Sequence, residues 1–103
     1  MTMTIHAKAD ADGTELSIFI AGRFDFSSHQ EFCAAYESAD PRPEQYIIDM
    51  TATTYLDSSA LGMLLLLRDY AGGDHAKISI VNCNEDVRRI LTISNFEQLF
   101  DIQ

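Results

Sequence analysis

Polar and apolar residues alternate with period two in the early part of the chain and recur at helical spacing further on. Between residues 15 and 21, Leu16, Ile18 and Ile20 share one side, the pattern of a strand with one buried face. Residues 4–9 read as a preceding strand, and Asp10-Ala11-Asp12-Gly13 is a turn signal between the two, so the chain opens with a predicted hairpin. Ser27-Ser28 then offers an N-cap, and Glu31 stands three residues beyond Ser28 as in a capping box. The helix this predicts runs to about Ala39, with Phe32, Ala35 and Tyr36 on its apolar face. Asp40-Pro41-Arg42-Pro43 ends it, because proline cannot continue a helix.

Residues 45–50 form the third predicted strand. Its run Tyr46-Ile47-Ile48 has no polar interruption, which predicts a central strand buried on both faces. A second helix is expected over Ser58–Ala71, stopped by Gly72-Gly73. A fourth strand follows at 77–81, and Asn84 caps a third helix over 85–94. Phe96, Leu99 and Phe100 are expected to dock the carboxyl terminus. Strand–helix alternation after an opening hairpin implies an α/β domain, a mixed sheet with helices packed over it.

The second helix is the unusual one. At 100° per residue, Leu61, Leu64, Leu67, Arg68 and Ala71 share a broad sector, the expected buried face. Ser58, Gly62, Leu65 and Asp69 fall on another, with Met63 and Leu66 beside it. The helix is thus apolar over more of its circumference than one core requires. Either neighbouring helices bury both flanks, or Gly62, Met63, Leu65 and Leu66 form a docking patch. A glycine there would let another backbone come close.

The length, 103 residues, suits one domain spanning residues 1–103, and 47% hydrophobic content permits an ordinary core. The net charge of −9 argues against direct nucleic-acid binding, which relies on Lys and Arg, and favours a basic protein partner or simple solubility. Cys33 and Cys83 are far apart, and His6, His29 and His75 are scattered, so no metal-ligand spacing is present and no cofactor is expected. The opening Met1-Thr2-Met3-Thr4 lacks the regions of a signal peptide, and the leucine run is far short of the roughly 20 residues of a membrane span. A reduced, cytoplasmic protein without direct membrane insertion is the expectation.

The candidate chemistry lies in Tyr55-Leu56-Asp57-Ser58-Ser59-Ala60-Leu61-Gly62, at the hand-over from strand to helix. Unpartnered N–H groups at a helix start favour an anion, so a hydroxyl there suits phosphorylation. Serine is also a common N-cap without any modification, and Asp57 is itself a possible capping residue. The segment resembles the anti-sigma factor antagonists of the STAS domain superfamily, in which a strand ends in Asp-Ser-Ser/Thr-Gly-Leu-Gly and the serine after the aspartate is phosphorylated. Gly22-Arg23-Phe24-Asp25 and Val87-Arg88-Arg89-Ile90-Leu91 match the family's early turn and late helix. Ala60 stands where the family has glycine, a change expected to bear on how closely a partner approaches.

The resemblance implies a small STAS-type fold, a sheet of about four or five strands with three or four helices largely on one face. It implies phosphorylation of Ser58, with Ser59 the second choice. It also implies a partner surface comprising Asp25, Asp57, Ser58, Ser59, Gly62, Met63, Leu65, Leu66 and Asp69. In that reading the unphosphorylated protein binds an anti-sigma factor or serine kinase, phosphorylation releases it, and a serine phosphatase resets it. One rival is a STAS regulatory subunit of a membrane transporter or lipid-transport complex. Another is an enzyme with Ser58 as nucleophile, which the lack of a nearby base and of a Gly-x-Ser-x-Gly elbow disfavours.

Overall fold

The computed structural model describes residues 5–103. In chain order its elements are β1 (Ile5–Ala9), β2 (Glu15–Ile20), β3 (Gly22–Phe24), α1 (His29–Glu37), β4 (Gln45–Asp49), β5 (Thr53–Leu56), α2 (Ser58–Ala71), β6 (Ile78–Val81), α3 (Glu85–Ile93) and β7 (Asp101–Ile102). Single 3-10 turns cover Phe26–Ser28, Gly73–His75 and Phe96–Gln98. The expected hairpin is present, with β1 antiparallel to β2; Thr4 of the expected first strand lies outside the described residues.

The main sheet has the order β1-β2-β4-β6-β7, with every pair after the hairpin parallel. The register places Leu16, Tyr46 and Ile78 in one buried row and Ile18, Ile48 and Ile80 in the next. The alternate residues Ser17, Ile47, Ser79 and Val81 are only half-buried. β4 is therefore central, as expected, but not covered on both faces. Ile47 lies on the half-buried face, so an unbroken apolar run here does not mean two buried faces.

Helix termini follow local chemistry. Asn84 Oδ1 accepts the Val87 N–H at 2.8 Å and starts α3, and Gly72, at φ 122°, ends α2 in a conformation that L-residues avoid. The capping box at Ser28 is not formed, since its side chain makes no capping hydrogen bond. The 3-10 turn Phe26–Ser28 precedes α1 instead, and Asp25 caps that turn. α1 ends at Glu37 and α3 at Ile93, slightly earlier than expected. At the carboxyl end Phe96 and Phe100 are buried and stacked at 5.4 Å, while Leu99 stays 38% exposed and does not dock. Asp101–Ile102 adds a strand that the sequence pattern did not predict.

A second, two-stranded parallel ribbon, β3 with β5, also went unpredicted. Hydrogen bonds join its two strands and tie it to β2 and to the start of α3. The Gly22 N–H donates to the Ala52 carbonyl at 2.8 Å, and the buried Thr53 hydroxyl donates to the Ile20 carbonyl at 2.7 Å. Asn84 donates to the Thr53 carbonyl at 3.1 Å. The ribbon matters because its two strands each lead into a helical turn.

Candidate functional site

In the β3–β5 ribbon, Phe24 pairs with Leu56. The next residue on each strand is an aspartate, so Asp25 and Asp57 leave the ribbon side by side. Both do the same local work. The Ser27 N–H donates to Asp25 Oδ1 at 3.0 Å, and the Ser27 hydroxyl donates to the same oxygen. The Ser59 hydroxyl donates to Asp57 Oδ1 at 2.6 Å and the Ala60 N–H at 3.0 Å. The Ser59 hydroxyl, ahead of the Ala60 N–H, holds the Asp57 carboxyl below its usual range. Asp25 is lowered likewise, chiefly by the Ser27 hydroxyl.

This arrangement refines the reading of the helix start. Asp57 is the N-cap of α2 and Ser58 is its first helical residue. The positive pole of α2 already holds a carboxylate of the chain itself. A phosphate on Ser58 would share that pole with Asp57 rather than enter an empty anion site. Ser58 is exposed and free of the capping role, whereas Ser59 is half-buried and committed to Asp57. Ser58 is therefore the hydroxyl more accessible to an enzyme.

Along α2, Ser58, Gly62, Leu65, Leu66 and Asp69 form one exposed face. Leu66 is 49% exposed and Leu65 40%. Met63, expected in that patch, is buried at 3% together with Ala60, Leu64 and Leu67. The buried face is turned toward Met63 because α2 packs against α1 as well as against β5. Leu61 is only half-buried at the margin. Arg68 keeps its stem mostly covered and sends its guanidinium to Asp74 at 3.0 Å. Ala60 points inward and is fully buried, so the replacement of the family glycine lies under the helix and not on its outer face. A Cβ added to Gly62 would meet nothing within 4 Å, and its backbone is helical. No close approach among the described residues requires that glycine.

Two features beside the aspartates escaped the sequence reading. Arg23 lies 4.5 Å over the Tyr55 ring, with its Nε 3.6 Å from Asp25 Oδ2. Phe26 is 71% exposed and stacks on His29 at 5.6 Å. Arg23 lies inside the early-turn match Gly22-Arg23-Phe24-Asp25 and Phe26 just beyond it, but no local pattern signals their contacts. Only the parallel pairing of two distant strands brings them to the serine's side of the molecule. Cys33 and Cys83 are free thiols. Among the described residues, no helix is long and apolar enough to cross a membrane.

A mixed five-stranded sheet with its helices on one face, and paired strand–aspartate–helix junctions at one end, defines a small α/β domain of the SpoIIAA-like fold. The family model described as "Mlab, STAS domain" matches residues 7–101, so the chain belongs to the STAS domain family. A STAS-domain containing protein of Pseudomonas aeruginosa (strain UCBPP-PA14) is 61% identical over 100 residues, 97% of this chain and 99% of that protein. Among solved structures, the anti-sigma factor antagonist SpoIIAA in its unphosphorylated form superposes with a TM-score of 0.74 at 14% identity. That match covers 96% of this chain and 86% of the other. A sulfate transporter family protein from Wolinella succinogenes gives a TM-score of 0.72 at 15% identity, over 91% and 80% of the two chains. At such identities these likenesses speak to the fold alone.

Proposed function

We propose that the chain is a phosphorylation-controlled partner-switching regulator. The unphosphorylated form binds an anti-sigma factor or related serine kinase and frees that partner's target. Phosphorylation of Ser58 breaks the complex, and a serine phosphatase restores it. The observation that carries this reading is the placement of an exposed Ser58 at the first helical position of α2, at the head of the exposed face with Gly62, Leu65, Leu66 and Asp69. Asp57 directly precedes it, and Asp25 follows the strand that pairs with β5. The fold shared with an antagonist whose structure is described as unphosphorylated supports the reading.

Peptide mapping tests it, on protein isolated from its own cells and on protein treated with the serine kinase that binds it. A single phosphate on Ser58 is expected. Phosphate mainly on Ser59 would move the acceptor by one position. A protein that never carries phosphate would remove the switch. The shared fold with a sulfate transporter family protein supports a second reading, a STAS regulatory subunit of a transporter or lipid-transport complex. Recovery of a transporter ATPase subunit in a pulldown, in place of a serine kinase, would favour it.

Gly62 supplies an independent check on the docking face. A glycine inside a helix lowers stability by about 1 kcal/mol relative to alanine, and nothing among the described residues needs it. Gly62→Ala is expected to raise the unfolding free energy by about 0.5–1 kcal/mol. The same methyl, placed in a close-packed interface, is expected to weaken partner binding by about 1 kcal/mol or more. Denaturant melts and calorimetric titrations measure both. A stabilised variant with unchanged affinity would show that no partner backbone packs at Gly62.

A further inference from the structure

We infer that Phe26 is the apolar anchor of the docking surface, received by a socket with a basic rim on the partner protein. The inference deepens the reading above and rests on it.

Phe26 is out of place for the fold. Its neighbour in the alternating pattern, Phe24, is fully buried and packs on Phe32 at 5.1 Å, so the core is already supplied with an aromatic ring at this point. Phe26 turns outward instead, at 71% exposure. It is nevertheless held in place. It begins the 3-10 turn that Asp25 caps, and its ring lies on His29 at 27° between planes. A ring already positioned in the free protein loses little conformational freedom on binding, which favours it as an anchor. Buried aromatic anchors at the centre of an interface carry much of the binding energy.

Its position ties it to the serine. Phe24 and Leu56 are paired across the ribbon, and Phe26 and Ser58 each stand two residues beyond them. Each is the first residue of the helical turn that its aspartate caps. The two junctions therefore present an apolar ring and a hydroxyl from adjacent strand ends. Around them stand Asp57 and Asp25, the latter 3.6 Å from the exposed Arg23 guanidinium, and the chain as a whole carries a net charge of −9. A complementary partner brings a dry apolar socket for the ring and Arg or Lys at the edge for the two carboxylates. A phosphate on Ser58 adds charge and bulk next to the Asp57 carboxylate at the head of the apolar face, and the cost of desolvating it opposes the contact that Phe26 makes.

The test uses the full chain, unphosphorylated, and the purified serine kinase that phosphorylates Ser58, titrated by calorimetry at low and high salt. Phe26→Ala should melt as the wild type does and bind about 30-fold more weakly or worse. Leu99→Ala, which removes another exposed apolar side chain away from the ribbon, should bind normally. Wild-type affinity should fall as salt rises. Normal binding by Phe26→Ala, with Ser58 still phosphorylated, would overturn the anchor and leave the partner-switching reading standing. Salt-independent affinity would overturn the basic rim. A wild-type dimer in sedimentation that Phe26→Ala dissociates would assign the ring to a second copy of this chain and overturn a heterologous partner. Failure of the wild type to bind or be phosphorylated by any serine kinase would instead overturn the reading on which the inference rests.

Discussion

Leu64→Ala is expected to lower the unfolding free energy by about 2–5 kcal/mol, and Met63→Ala to do the same. Leu64 is fully buried and Met63 nearly so, in a continuous core with Phe24, Leu56 and Leu67. Truncation at either site removes burial and leaves a cavity that close-packed neighbours fill only partly. Leu66→Ala is expected to stay within about 0.5 kcal/mol of the wild type, as for a surface site, because Leu66 is half exposed. Three apolar positions within four residues of one helix thus separate core from surface in one set of denaturant melts. A Leu66→Ala variant as unstable as Leu64→Ala would place both flanks of α2 in the core and withdraw the docking face.

Phosphorylation of Ser58 is expected to weaken partner binding about a hundredfold or more, with the monomer still folded. The modification adds nearly two negative charges beside the Asp57 carboxylate. In the complex those charges must shed water and lie beside the Asp57 carboxylate, a loss of several kcal/mol. Ser58→Glu should act in the same direction and more weakly, since it carries less charge. Ser58→Ala should remain fully folded and binding-competent. Its effect on stability is expected to be only a few tenths of a kcal/mol, because Asp57 and not Ser58 caps the helix and alanine is a good helix former. Calorimetry on the phosphoprotein and both variants measures this. Equal affinity for all three would end the switch model. Loss of binding by a folded Ser58→Ala protein would show that the hydroxyl itself is a contact.

The helices and the main strands were legible because their signals are local. Asn84 before a helical pattern, Gly72 after one and the period-two run Leu16, Ile18, Ile20 each act over a few residues, and all three took their expected places. Where a local signal failed, a competing contact had taken its role. Ser28 is a sound capping residue by type, but it is buried, and Asp25 caps the preceding turn. Met63 sat beside the polar sector of α2 by angle alone. The direction of the buried face depends on where α1 and β5 lie, which no helical wheel contains.

By itself the sequence determined a mixed α/β domain, the strand-to-helix hand-over at Asp57-Ser58, and an excess of apolar surface on α2. Those follow from periodicity, capping and composition, which short-range sterics and hydrogen bonding make readable. Only the tertiary structure decided which part of that excess faces solvent, that Asp57 fills the pole of α2, and that Phe26 stands beside the serine. The physical reason is the β3–β5 ribbon. Its strands are three residues and four residues long, too short to announce themselves by alternation, and they are held by bonds from Gly22, Thr53 and Asn84 to distant carbonyls. Parallel pairing of such strands depends on long-range closure, so the juxtaposition of residues 25–26 with residues 57–58 exists only once the chain has folded.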